Sequence, residues 1–93
     1  MAGEFEIEVP YELVPGVYAD AERVWHTRTD FTIDFLVRPA IQEAPDVARL
    51  VGRVKIPTMM LFELIRHLNT DMTNYEEEYG EIPRIEDHGT DST

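Results

Sequence analysis

Apolar and polar residues alternate with a period of two in three parts of the chain, as they do in half-buried β-strands. In the first part, Phe5, Ile7 and Val9 alternate with Glu6 and Glu8. The pattern predicts a half-buried strand, and its glutamates suit an exposed sheet edge, where charge prevents unwanted pairing. Proline and glycine at positions 10, 15 and 16 then interrupt the chain.

A β-hairpin is predicted between residues 17 and 37. Its first arm covers about residues 18–27, and its second arm, 31–37, has the clearest alternation in the chain. The polar residues 27–30 have a plausible length for the connecting turn. Trp25 and Val24 lie on opposite faces of the first arm, and we expect Trp25 to be semi-exposed or at an interface.

A third strand is predicted over residues 47–56, after a loop that contains two prolines. Its apolar face carries Leu50, Val54 and Ile56, and its other face carries mainly basic residues. Gly52 interrupts the apolar face, which indicates a bulge or close packing against a neighbour.

A long helix is predicted to follow, starting with Pro57 at its first position and ending just before Gly80. Between them no proline or glycine occurs. The apolar stripe has the 3.5-residue average spacing of a coiled-coil seam. Its members are Leu61, Ile65, Leu68, Met72, Tyr75 and Tyr79.

These elements predict an α+β fold, an antiparallel three- to four-stranded meander followed by one long C-terminal helix. We divide the chain into an acidic N-terminal strand or extension (1–16), a core domain (17–80) and an acidic disordered tail (81–93).

Composition narrows the function classes. The chain has 93 residues, no cysteine and a net charge of −11, with the acidic excess at its two ends. Such a charge opposes direct binding to nucleic acid or to anionic lipid, which are both negative. No apolar run approaches the roughly 20 residues of a membrane span. The N-terminus lacks the pattern of a signal peptide, so we expect a cytoplasmic protein.

The start of the helix favours a partner chain. It is apolar nearly all round, and a helix that is apolar on every side is usually buried on every side. A small domain without disulfides also gains from oligomerisation. We therefore expect a homodimer or a higher homo-oligomer. The expected interface or binding residues are Trp25, Met59, Met60, Phe62, Ile65, Leu68, Met72 and Tyr75.

Four segments in order resemble a family of small bacterial proteins that is classed only as a domain of unknown function. They are VYAD at 17–20, DFTIDF at 30–35, ARLVGRVKIP at 48–57 and NYEEEYGEI at 74–82. The resemblance covers about residues 17–82. It implies three strands followed by a helix, and it brings no activity and no catalytic residues. Ile56 and the longer N-terminal extension depart from the family pattern.

Residues with catalytic or metal-binding chemistry are few. Glu63, His67 and Asp71 share one helical face and could bind a divalent ion, but a solvated polar face is the better interpretation because no fourth ligand is implied. Asp30 and Asp34 share a strand face but lie too far apart to act on one bond. We expect Asp30 to cap the turn and Asp34 to pair with Arg49 or Arg53. No cofactor and no catalytic residue is predicted.

The function predicted from the sequence is a non-enzymatic protein-binding or adaptor module with a chaperone-like role. Its partners would be its own copies and another protein. The other candidates are a structural assembly subunit without a client and, last, a metal-dependent activity on the helix face.

Overall fold

The computed structural model describes residues 4–39 and 47–84, which belong to two compact units. The unit that ends at Ile56 contains a three-stranded antiparallel sheet, and the unit that begins at Pro57 contains one α-helix. The predicted α+β fold is therefore confirmed.

The described chain has no fourth strand. Residues 4–10 are neither helical nor extended in a sheet, and Phe5 and Ile7 are 76% and 77% exposed. A strand needs a hydrogen-bonding neighbour, and this segment has none within the described part of the single chain. The prediction of a half-buried strand at residues 5–9 is therefore wrong for the single chain. A short 3-10 helix, Tyr11–Leu13, follows the segment.

The strands of the sheet are β1 (Ala21–His26), β2 (Asp30–Val37) and β3 (Arg49–Pro57). The sheet has the order β1-β2-β3, so its middle strand is the one with the clearest alternation. All three lie within two or three residues of the predicted positions. Strands β1 and β3 are the edges of this sheet.

The hairpin between β1 and β2 has the predicted turn. Thr27 donates its backbone N–H to Asp30 O at 2.9 Å, and its hydroxyl donates to Asp30 Oδ1, also at 2.9 Å. At the open end of the hairpin, Arg38 donates its backbone N–H to Asp20 Oδ1 at 2.9 Å. The pairing register follows from the turn and places Arg23 opposite Asp34.

The two faces of the sheet differ in chemistry, because successive side chains of a strand point to opposite faces. What we call the apolar face carries mainly apolar side chains, with Glu22 and His26 of β1 among them. Its apolar members include Val24, Ile33, Phe35, Val37, Leu50, Val54 and Ile56. What we call the basic face carries Arg23, Trp25, Thr32, Asp34, Arg49, Arg53 and Lys55.

Burial among the described residues is concentrated on the basic face. Thr32 is 1% exposed and Asp34 is fully buried, whereas Ile56, at 5%, is the one apolar side chain in the buried class. The edge-strand residues Val24, Leu50 and Val54 of the apolar face are exposed. The edge strands of the sheet thus expose apolar side chains.

After Pro57, the second unit forms a short 3-10 helix, Thr58–Met60, that leads into helix α1, Leu61–Tyr79. The expectation that Pro57 is the first helical residue is wrong. Its φ of −65° suits a helix and an extended strand equally, and its ψ of 150° makes it the last residue of β3. Gly80 ends α1 as predicted, with a φ of 96° and an N–H that donates to Glu76 O at 2.9 Å.

In the described part of the chain, no helix has both the length and the apolar character needed to cross a membrane. Residues 81–84 of the predicted tail have no helix or strand, and residues 85–93 lie outside the described residues. The division into extension, core and tail stays a prediction.

Candidate protein-interaction surface

Asp34 is the centre of the basic face. Arg53 donates from Nε to Asp34 Oδ1 at 2.6 Å and from Nη2 to Oδ2 at 2.9 Å. From the opposite side, Arg23 donates to Oδ2 from Nη2 at 2.7 Å and from Nε at 3.2 Å. One carboxylate therefore joins all three strands through charge-assisted hydrogen bonds.

The two arginines hold the pKa of Asp34 well below its usual value. The hydrogen bonds from Arg53 contribute most and those from Arg23 come next, against an opposing effect of desolvation. In return, Asp34 raises the pKa of Arg53 above its usual value. Both arginine side chains are largely exposed, so the buried carboxylate lies beneath a thin polar layer at the sheet surface. Asp34 is therefore ionised at neutral pH.

Trp25 extends this cluster toward the solvent. The guanidinium carbon of Arg53 and the ammonium nitrogen of Lys55 each lie 5.8 Å from the centre of its ring, within cation–π range. The indole is 39% exposed, which confirms the expectation that Trp25 is semi-exposed. A flat aromatic ring flanked by two cations can receive an acidic or aromatic group from a partner.

The hydroxyl of Thr32 lies below this layer and is directly opposite Trp25 in the register. Its Oγ1 is buried and has no hydrogen-bond partner among the described residues. An unpaired buried hydroxyl is costly, so polar groups on this face are not all satisfied by the described residues of one chain.

The other predicted interface residues belong to the helical unit. All seven are exposed. They are Met59, Met60, Phe62, Ile65, Leu68, Met72 and Tyr75. On the same helix, the rings of Tyr75 and Tyr79 lie 5.0 Å apart between centroids. Nothing tests the interface role of these residues, so it stays a prediction.

The candidate metal ligands do not form a site. Within the described residues, no group of three or more histidine, aspartate and glutamate side chains is arranged to hold a metal ion. Glu63 Oε2 instead lies 3.9 Å from Nη2 of Arg66, which is about one turn further along α1. Glu63, His67 and Asp71 are all exposed.

The predicted roles of the two strand aspartates are largely confirmed. Asp30 closes the hairpin turn with Thr27, and Asp34 pairs with Arg53, one of its two predicted partners. The sequence analysis missed Arg23 as the second partner. The hairpin turn contained the signal, because a turn that pairs residue 27 with residue 30 also pairs residue 23 with residue 34.

The described structure thus defines a small α+β domain that exposes apolar residues on its sheet and helix and a basic aromatic cluster on the other sheet face. The family model of DUF3467, a protein of unknown function, matches residues 1–84, and the chain belongs to this family. The match includes the acidic N-terminal segment, which the resemblance from the sequence did not cover. Comparison with curated proteins gave no match, and comparison with solved structures gave none.

Proposed function

We propose that this chain is a cytoplasmic protein-binding module without enzymatic activity that works as a small homo-oligomer. One observation carries the proposal: among the described residues, a single apolar side chain, Ile56, is in the buried class. Burial of apolar surface is the main driving force for folding, so apolar surface with this distribution favours further burial, which a second copy can supply.

The sheet supports this proposal. Edge-strand residues Val24, Leu50 and Val54 are exposed on the apolar face, next to the partly exposed side chains of β2. Apolar patches of this kind mark protein-interaction sites when they are contiguous and rimmed by polar residues. A second copy would cover this surface most simply, since a two-fold dimer presents the same patch twice.

The helix supports it in the same way. Ile65, Leu68, Met72 and Tyr75 follow the seam spacing of α1 and are all exposed. Two such stripes can pack against each other, and methionine adapts to more than one partner. We propose that part of this apolar surface binds the companion copy and that the remainder receives a client, as a chaperone or adaptor does.

The experiment that tests oligomerisation is absolute mass by light scattering after size exclusion, at several concentrations. Leu68→Glu places a charge on the stripe and should shift the protein toward the 10.8 kDa monomer. His67→Glu introduces the same side chain at the adjacent exposed position off the stripe and should leave the mass unchanged. A monomer at every concentration, or equal effects of both variants, would contradict the proposal.

A second measurement separates a client-binding module from a structural subunit. The oligomer is titrated with a dye that fluoresces on apolar surface, and then with an unfolded polypeptide that competes for it. A binding module should bind the dye and should release it when the polypeptide binds to the same surface. An oligomer that binds neither has used its apolar surface for assembly, which favours the structural subunit.

A further inference from the structure

Strand β3 is an edge strand whose two sides differ in chemistry. One side carries Arg49, Arg53 and Lys55 together with Val51, and the other carries Leu50, Val54 and Ile56, with no acidic residue in the strand. In the described sheet β3 pairs only with β2. The backbone groups along its outer edge therefore have no strand partner in the described residues, and such an edge can accept another strand.

Residues 4–9 have the complementary pattern. Glu4, Glu6 and Glu8 alternate with Phe5, Ile7 and Val9, and no basic residue interrupts them. The segment is exposed and belongs to no strand in the single chain. At about 3.3 Å per residue its six residues would span roughly 20 Å, well within the roughly 30 Å length of the nine-residue β3.

The geometry points to residues 4–9 of a second copy as the strand that binds the outer edge of β3. The alternation places all three glutamates on the basic face, beside Arg49 and Lys55. Neither of these two cations forms an ion pair with a described residue. The same alternation places Phe5, Ile7 and Val9 on the apolar face beside Val54.

The charge pattern also selects against two alternative edge pairings. Two β3 edges would bring cations opposite cations, and two N-terminal segments would bring glutamates opposite glutamates, both of which are unfavourable. If each copy places its N-terminal segment on the β3 edge of the other copy, both β3 edges are paired and the result is a closed two-fold dimer. The family match from residue 1 to residue 84 includes both the segment and β3.

The space beside Gly52 fits this arrangement. Gly52 lies on the apolar face of β3, and a Cβ built on it meets no atom within 4 Å in the described structure. A neighbouring strand could place an apolar side chain of the segment there without a clash.

Hydrogen–deuterium exchange of the full chain tests the pairing. This inference rests on the proposed oligomerisation, so exchange and light scattering are measured on the same sample. Alternate backbone amides within residues 5–9, those whose N–H groups face β3, should exchange at least about tenfold more slowly than in an unstructured peptide. Glu6→Lys with Glu8→Lys should remove this protection. The matched control, Glu77→Lys with Glu78→Lys, changes the net charge equally on α1 and should retain it.

Cross-linking identifies the source of the strand, because the chain has no cysteine of its own. A mass-labelled copy with Ile7→Cys is mixed with an unlabelled copy with Val54→Cys, so that a link between the two joins different chains. The control copy carries Val24→Cys, an exposed position on the same face but on the opposite edge strand. The yield with Val54→Cys should exceed the yield with Val24→Cys severalfold.

The two proposals fail in different ways. An oligomer in which amides 5–9 exchange freely, or in which both cysteine positions give equal yields, overturns the strand exchange and leaves the oligomer intact. Protection of amides 5–9 in a monomer shows pairing within one chain and overturns the exchange and the oligomer together. Unprotected amides in a monomer at every concentration likewise overturn both.

Discussion

Arg53 Nε lies 2.6 Å from Asp34 Oδ1, although the two residues are 19 positions apart in the sequence. This contact joins the central strand β2 to the edge strand β3, and Arg23 makes the equivalent contact from β1. A single buried carboxylate thus couples the pairing of all three strands. Each arginine supplies two hydrogen bonds with fixed relative positions, so the cluster also favours one lateral alignment of the strands.

We expect Asp34→Asn to destabilise the sheet more than the loss of either arginine. It leaves two guanidinium groups without their shared anion, whereas Arg23→Met removes one partially exposed partner and keeps the pair with Arg53. The loss of unfolding free energy should exceed that of Arg23→Met, because both ion pairs are removed and two cations are left without their anion. Urea unfolding followed by the fluorescence of Trp25, the single tryptophan, measures both. Equal losses would argue against the shared role of Asp34.

The same cluster predicts a loss of stability in acid. The folded pKa of Asp34 is lowered, while its unfolded value is about 3.9. The unfolded chain therefore takes up this proton first as the pH falls. The stabilisation is complete above about pH 4, and it is lost progressively below that as the pH approaches the folded pKa.

Urea midpoints at pH 7, 5, 4 and 3 check this pH dependence. Asp34→Asn is the control, because it keeps the other carboxylates and removes this one. The stability difference between the natural chain and the variant should be constant down to about pH 4 and then shrink. A constant difference down to pH 3 would show that the carboxylate titrates normally.

Gly80 should tolerate no side chain without a cost. Its φ of 96° and ψ of −173° lie in a region that is almost restricted to glycine, although a Cβ there would meet no atom within 4 Å. Gly80→Ala should therefore destabilise the end of α1 by about 1–3 kcal/mol through backbone strain alone. Thermal unfolding followed by helical circular dichroism measures it, and an unchanged midpoint would mean that the helix end relaxes.

Gly52 should behave in the opposite way. It has no positive φ, and a Cβ there meets open space. Gly52→Ala should leave the isolated sheet unit intact and stabilise the monomer by about 0.5–1 kcal/mol, since alanine loses less backbone freedom on folding. In the oligomer the same methyl group should weaken the association if a second copy fills this space. Comparing stability at low and high protein concentration separates the two effects.

The regular elements could be predicted because each has a strong local signal. The alternation of 31–37 and the turn at Thr27 fix the hairpin, and Gly80 fixes the end of the helix. The error at Pro57 arose because a proline φ fits both a strand and a helix. The missing N-terminal strand has a different cause, because strand formation there depends on a neighbour that the local sequence does not contain.

The site was predicted in part for similar reasons. The pairing of Asp34 with Arg53 followed from facing strands, and the semi-exposed position of Trp25 followed from its place in the first arm. The contacts of Trp25 with Arg53 and Lys55 depend on the lateral register of β2 and β3. That register is set across a loop and has no signal in the sequence of either strand alone.

The alternation of basic and apolar side chains along β3 restricts how its length can vary among relatives. Inserting or deleting one residue between Leu50 and Lys55 would move every later side chain to the other face, so that cations would enter the apolar face and apolar residues would face Asp34. Changes of two residues would restore the faces. Length differences within this strand should therefore occur in even numbers, and odd ones should be confined to the connections outside it.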